Sequence, residues 1–341
     1  GTLISTFWIV SANSWMQTPA GYEIIDGVFH ADDWVAIIFN PSFPYRLVHM
    51  VLAAFLTTCF VIGGVSASYL LRGQHRDAAT RMLKLSVAFA AIVVPLQILA
   101  GDMHGLNTLE HQPMKVAAME GHWHESEPGE GVPLVVFAIP HQKKERNDYA
   151  IEIPRIASLI LTHSLDGTIA PLTSVPREDR PPVAPVFYAF RVMVGIGSAM
   201  LALVLLSAFA WRRGWLFDPQ RGSGRWLLLG WKTMTLSGFV AILAGWYVTE
   251  IGRQPYTVYG LLRTADSNSA ISGAAVAFSL AVFALVYVFV FGAGIWYLLK
   301  LVRKGPQPHE PAPDRDGGEK TPARPLSLAD ETIEGTARGA A

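Results

Sequence analysis

Apolar runs about as long as a bilayer is thick recur along this chain. They restrict its fold more than any motif does. A helix needs roughly 20 mostly apolar residues to cross a hydrocarbon core. Six segments meet or approach that length: about 2–18, 46–71, 80–101, 184–211, 226–251 and 272–302. In lipid each segment must satisfy its own backbone hydrogen bonds, so the expected fold is an all-α polytopic membrane helix bundle. Composition agrees, since 16% of residues are charged against roughly 25% in soluble domains. Formal net charge is zero, which gives no reason to expect a nucleic-acid partner. Cys59 is the single cysteine, which excludes a disulfide framework and a thiolate cluster and leaves a packed thiol as the expectation.

The sequence opens with GTLISTFWIVSANSWM, without an initiator Met and without a signal-peptide pattern. It is expected to start inside or beside a spanning segment of a longer chain. Asn13 and several hydroxyls make that first segment polar enough to face protein rather than lipid. No internal repeat of the kind that builds transporters is visible. Basic clusters follow alternate spans: Arg72, Arg76, Arg81 and Lys84; Arg212, Arg213, Arg221 and Arg225; Lys300, Arg303 and Lys304. Basic loops stay in the cytoplasm, so the long 102–183 connection is expected on the opposite, periplasmic side. Residues 1–304 form the bundle in this reading. Residues 305–341, rich in Pro, Gly, Ala and charge, form a disordered cytoplasmic tail.

Ionisable groups at membrane depth are costly and mark functional sites. His49 near the start of the second span and Met193 near the start of the fourth lie at matched shallow depth. One His and one Met from two helices can clamp a haem iron axially; an interfacial His and a packing Met are the plain alternative. Arg191 either snorkels to water or sits beside a haem as a counter-charge. It stands about 200° around the helix from Met193, so the two do not share a face. Glu250 ends the fifth span in GWYVTEIGRQPY, with Trp246 one turn before it and Arg253 three residues after. It reads as an ion pair with Arg253, as a carboxylate haem ligand or as a proton relay. His122 and His124 in EGHWHE lack a third metal ligand and read as solvated loop residues.

With these residues in view, the chain resembles subunit I of the cytochrome bd-type quinol oxidases. The matching stretches are NSWMQTPAGYEI, PYRLVHM, QPMKVAAMEGHW, ERNDYAIEIP, PVFYAFRVMVG and GWYVTEIGRQPY, in family order over about 1–300. The ERNDYAIEIP segment and the short loop look like the cyanide-insensitive branch. The resemblance implies that His49 and Met193 ligate a low-spin haem b, with Arg191 beside it. It implies that Glu250 serves a high-spin haem b, with Trp246 and Arg253 in the same motif. A haem d, or a b-type replacement, completes the family's set. The 102–183 loop matches the quinol-handling loop, with Glu152, Lys143 and Lys144 in its signature region. Asp148 stands where the family's loop lysine is expected, so the direct quinol contacts do not carry over residue by residue.

The family has nine spans in this subunit, so the first three are expected to be absent from this sequence. The isolated 341 residues are then expected to be inactive, or at best to hold haem b. The implied activity is quinol oxidation coupled to reduction of dioxygen to water, with charge separation across a bacterial inner membrane. Subunit II, a small accessory subunit and membrane lipid are the implied partners. A membrane cytochrome b that only transfers electrons is the rival reading, and it lacks an oxygen-reactive haem.

Overall fold

The computed structural model describes residues 1–306 apart from Pro128 and Ser269. The expected disordered tail therefore lies, beyond Pro306, outside the described residues. Helix α1 (Thr2–Gln17) leads into a hairpin, β1–β2 (Tyr22–Ile25 and Val28–Ala31), and a short α2 (Trp34–Ile38). Two long helices follow, α3 (Phe43–Leu71) and α4 (Arg76–His111). The large connection holds α5 (Pro113–Glu120), the antiparallel hairpin β3–β4 (Leu134–His141 and Arg146–Ile153) and α6 (Ile156–Thr162). After it come α7 (Val183–Arg212), α8 (Gly222–Thr233), α9 (Ser237–Ile251), the small β5–β6 pair (Tyr256–Val258 and Leu262–Arg263) and α10 (Gly273–Lys304).

Among the described residues, five helical stretches are long and apolar enough to cross a bilayer: Trp34–Leu71, Arg76–His111, Arg177–Arg212, Gly222–Ile251 and Gly273–Lys304. The segment read at 2–18 is helical over Thr2–Gln17. The fifth segment is two helices, α8 and α9, joined through a 3₁₀ turn at Met234–Leu236. Local chemistry sets several boundaries. Asp33 caps α2 by accepting from the Val35 and Ala36 N–H groups. Pro113 has no N–H to continue the ladder of α4, so the chain turns at Gln112 and restarts as α5.

The two ends of the bundle differ. Late α3, early α4, late α7 and α8 build a packed apolar core around Phe60, Leu83, Val87, Val204, Leu228 and Trp231. Trp231 stacks on Phe60 at 4.8 Å between ring centroids, and its indole N–H donates to Ser207 Oγ at 2.9 Å. A Cβ on Gly63 would stand 2.4 Å from the Trp231 ring, so only glycine lets α8 approach α3 this closely. The opposite ends of the same helices carry the charged and ligating side chains. Helix α10 has no buried residue and is apolar along most of its length, as a lipid-facing span is.

Gly63→Val should force Trp231 off Phe60 and cost about 1–3 kcal/mol. Thermal unfolding in detergent checks this; an unchanged midpoint would show that the α3–α8 contact is looser than described.

Candidate functional site

Two polar clusters occupy the end of the bundle that lacks the apolar core. The first joins α1, α3, α5 and α9. Glu250 accepts from the Arg253 guanidinium at 2.7 Å and from the Asn13 side-chain amide at 2.8 Å. Asn13 Oδ1 in turn accepts from Arg46 Nη2. A turn along α1, Gln17 Oε1 accepts from Lys115 Nζ at 2.5 Å, and Gln112 Oε1 accepts from the same ammonium at 2.5 Å. Arg46, Lys115 and Arg253 are all buried. Burial holds the Lys115 ammonium well below its ordinary pKa, and the Arg46 and Arg253 charges push it the same way.

Three buried cations thus gather around one carboxylate, Glu250. A buried charge without a partner is costly, and Arg253 Nε and Nη1 are buried with no hydrogen-bond partner. The cluster suits an anionic group. The Glu250–Arg253 ion pair expected from spacing is present. The polar face of α1 does face protein, because Asn13 and Gln17 bind into this network.

His49 projects from α3 against α4. Gln97 Nε2 lies 3.3 Å from His49 Nε2, and His49 Nδ1 is buried without a partner. A Cβ on Gly101 would stand 3.1 Å from His49. Met193 projects from α7 against α9, where a Cβ on Gly245 would stand 3.1 Å from its sulfur. Helices α3 and α7 both pack against α4 and α9, so the two side chains are offered from helices that share both neighbours. Trp246 is half-buried on α9. Helix α4 runs past residue 101 to His111, which brings the His104 ring within 5.6 Å of the His49 ring.

The second cluster centres on Arg191. Its Nε donates to the Val135 carbonyl at 2.7 Å, Nη1 to the Met119 carbonyl at 2.9 Å and Nη2 to Glu120 at 2.9 Å. The guanidinium also lies 4.5 Å from the Phe187 ring centroid, a cation–π distance. Arg191 therefore turns into protein rather than snorkelling, and it ties α7 to α5 and to β3. Burial raises the Glu120 carboxyl pKa, opposed by the Arg191 charge and hydrogen bond. Beside this pair lies a cavity of about 280 Å³, lined by Glu120, His122, Trp123, Asn147 and Glu152. Lys143 and Lys144 sit exposed at the β3–β4 turn, outside its lining.

Three residues escaped the sequence reading. Lys115 and Glu120 lie in the matched stretch QPMKVAAMEGHW, and every residue from Met114 to Glu120 is buried. The signal was a lysine and a glutamate bracketing a short apolar run, where amphipathic patterning would place solvent. His122, read as a solvated loop residue, is 9% exposed. His124 is exposed, with Nε2 2.9 Å from the Glu145 carbonyl.

Residues 1–306 match the family described as cytochrome bd terminal oxidase subunit I. The chain is 30% identical to cytochrome bd-II ubiquinol oxidase subunit 1 of Escherichia coli (strain K12), over 90% of this chain and 71% of that protein. It is 32% identical to cytochrome bd ubiquinol oxidase subunit 1 of Bacillus subtilis (strain 168), over 89% of this chain and 66% of that protein. The fold is similar to the bd oxidase from Geobacillus thermodenitrificans, with a TM-score of 0.78 and 29% identity over 89% of this chain and 68% of that one. The chain thus spans about two thirds of the length of these relatives. The family implies haem, and the residues present fit one: an orphaned buried imidazole nitrogen on His49, a thioether on Met193, glycine notches beside both, and buried unpartnered guanidinium nitrogens on Arg253.

Glu120→Ala removes the carboxylate partner of Arg191, leaves its charge held only by the Val135 and Met119 carbonyls, and should cost about 3–5 kcal/mol. The pH dependence has a defined sign. The folded-state carboxyl pKa is raised, so the native state binds this proton more tightly than the unfolded chain. Its contribution is present below the ordinary carboxylate pKa and is lost as pH rises through that range to the raised value. Glu120→Gln should flatten this part of the melting-temperature profile; an unchanged slope would contradict the assignment.

Proposed function

The chain belongs to the cytochrome bd terminal oxidase subunit I family, and on that premise we propose that it oxidises quinol and passes the electrons through haem to dioxygen. The observation that carries this reading is the His49–Met193 arrangement: a buried imidazole nitrogen with no partner and a thioether, each beside a glycine. His49 and Met193 would hold a low-spin haem b, and Glu250 a high-spin haem b. Bound haem supplies one-electron redox chemistry and the centre at which dioxygen is reduced to water. A haem d, or a b-type haem in its place, belongs at that oxygen centre.

The protein's own residues set the environment of these groups. Asn13 and Arg253 fix both oxygens of the Glu250 carboxylate. Arg46, Arg253 and Lys115 supply positive charge for acidic substituents of a bound group. Trp246 stands one turn before Glu250 on α9. Quinol would enter the cavity beneath the β3–β4 hairpin, where Glu120 and Glu152 can orient its hydroxyls. Arg191 links that cavity to α7 two residues before Met193, so substrate and electron acceptor share one rigid element. Lys143 and Lys144 would act at the rim rather than on the substrate. The oxidase works in a bacterial inner membrane with subunit II and a small accessory subunit, its hairpin loop on the periplasmic side.

A reduced-minus-oxidised spectrum of the intact oxidase, with and without carbon monoxide, tests the reading. A low-spin band unmoved by carbon monoxide and a second, carbon monoxide-sensitive signal are expected. A spectrum with no carbon monoxide-sensitive signal would instead indicate a cytochrome that only transfers electrons. Met193→Leu should abolish the low-spin band or convert it to high spin; an unchanged band would remove Met193 from the ligand set. Glu250→Ala should abolish the high-spin b signal and oxygen reduction, whereas full activity in Glu250→Gln would leave the residue a purely structural role. Cleavage of the hairpin near Lys143 should stop quinol oxidation while donors that reduce haem directly still support oxygen uptake.

A further inference from the structure

His122 is the one histidine in the cavity lining that is buried, and among the described residues no ion pair uses it. Its Nε2 is buried and has no hydrogen-bond partner. The backbone on either side is fixed. The His122 N–H donates to the Ala117 carbonyl at 2.8 Å, and the His122 carbonyl accepts from the Leu172 N–H at 2.9 Å. The adjacent Trp123 indole donates to Asn147 Oδ1 at 2.9 Å, and the Asn147 amide donates to the Gly121 carbonyl at 2.8 Å. The loop is thus fixed, and His122, one of the residues lining the cavity, keeps a buried ring nitrogen without the partner that a buried polar atom normally finds.

The charged and titratable groups around this ring come from three elements and its own loop. Glu120 is on α5, already held by Arg191 of α7; Arg146 and Glu152 are on β4; His124 follows in the same loop. Burial lowers the His122 pKa, the His124 charge lowers it further, and the Ile169 hydrogen bond opposes both. A lowered pKa favours the neutral ring, whose free nitrogen lone pair can accept a proton. The cavity, about 280 Å³, lies just below the roughly 300–1,000 Å³ of drug-sized sites, a volume suited to one substituted ring.

We propose that His122 is a catalytic base that takes a proton from a ring hydroxyl of the hydroquinone in this cavity. The assignment rests on the quinol reading above. A phenolic hydroxyl has a pKa of about 10, so at neutral pH it keeps its proton until an electron leaves. The hydroquinone gives one electron to a haem, its O–H bond breaks, and the proton moves to the Nε2 lone pair. Loss of a second electron to haem and of the second hydroxyl proton to water at the cavity mouth completes the quinone. Two electrons and two protons leave in all, and His122 returns its proton to solvent before the next turnover.

The test uses the intact oxidase with its partner subunits, and a short-chain ubiquinol against an artificial donor that reduces haem directly. H122Q should lower kcat for quinol about a hundredfold or more, with haem spectra and direct-donor oxygen uptake unchanged. Wild-type quinol oxidation should fall on the acid side as His122 becomes protonated, and H122Q should lose that limb. Added imidazole should restore part of the activity of H122A. Quinol turnover in H122Q within twofold of wild type, or equal loss with both donors, would overturn the assignment. Should H122Q fail to assemble, the wild-type profile decides, because a flat acid side excludes a titrating base. A wild-type enzyme that takes electrons from the artificial donor but never from quinol would instead overturn the quinol reading, and this assignment with it.

Discussion

Buried positive charge needs a compensating anion, and the functional end of this bundle is organised around that need. Arg46, Lys115, Arg253 and Arg191 all turn inward where membrane proteins ordinarily expose or exclude such groups. Two carboxylates answer them, Glu250 and Glu120, each in direct ion pairing with one arginine. Amides of Asn13, Gln17 and Gln112 take up part of the remaining hydrogen-bonding capacity. What they do not satisfy, notably two nitrogens of Arg253, lies at the same end of the bundle as His49 and Met193. Satisfied polar networks rigidify a site, and partly satisfied ones are costly unless a ligand completes them.

The division of labour along each helix follows from the same constraint. Late α3, early α4, late α7 and α8 pack apolar side chains around Trp231 and need nothing further to be stable against one another. Their other ends hold His49, His104, Arg191 and Met193. A packed apolar end keeps the helices in register, so candidate ligands on separate helices hold fixed positions. The β3–β4 hairpin is drawn into this frame through Arg191, which binds a β3 carbonyl and the end of α5 at once. A second set of contacts holds the hairpin turn, where Arg177 and Arg180 both pair with Glu145.

Much of this was legible in the sequence, because spanning helices are written in long apolar runs. The helices at 43–71, 76–111 and 183–212 contain the segments read from hydropathy, and that at 273–304 matches its segment to within a residue or two. The His49, Met193, Arg191 and Glu250 positions stood out for a related reason: ionisable or ligating groups are conspicuous in apolar surroundings. Less legible was the short buried helix α5. Its charges at Lys115 and Glu120 look like ordinary loop charges until the fold shows that they are sealed in by α1 and α7. His122 was hidden likewise, since burial within a polar, Gly- and Pro-rich connection leaves no periodic signature. The polar residues of the first segment were legible as a protein-facing side, and Asn13 and Gln17 of α1 do bond into the Glu250 and Lys115 network.

The central claim is that α3 and α7 present one axial pair, His49 and Met193, to a low-spin haem. Near-infrared magnetic circular dichroism of the oxidised intact enzyme tests it most directly, because sulfur and nitrogen ligands to low-spin ferric haem give separate charge-transfer bands. A thioether-type band that disappears in Met193→Leu is the predicted result. A band of the two-imidazole type, unchanged by that substitution, would contradict the account and point instead to a second histidine ligand.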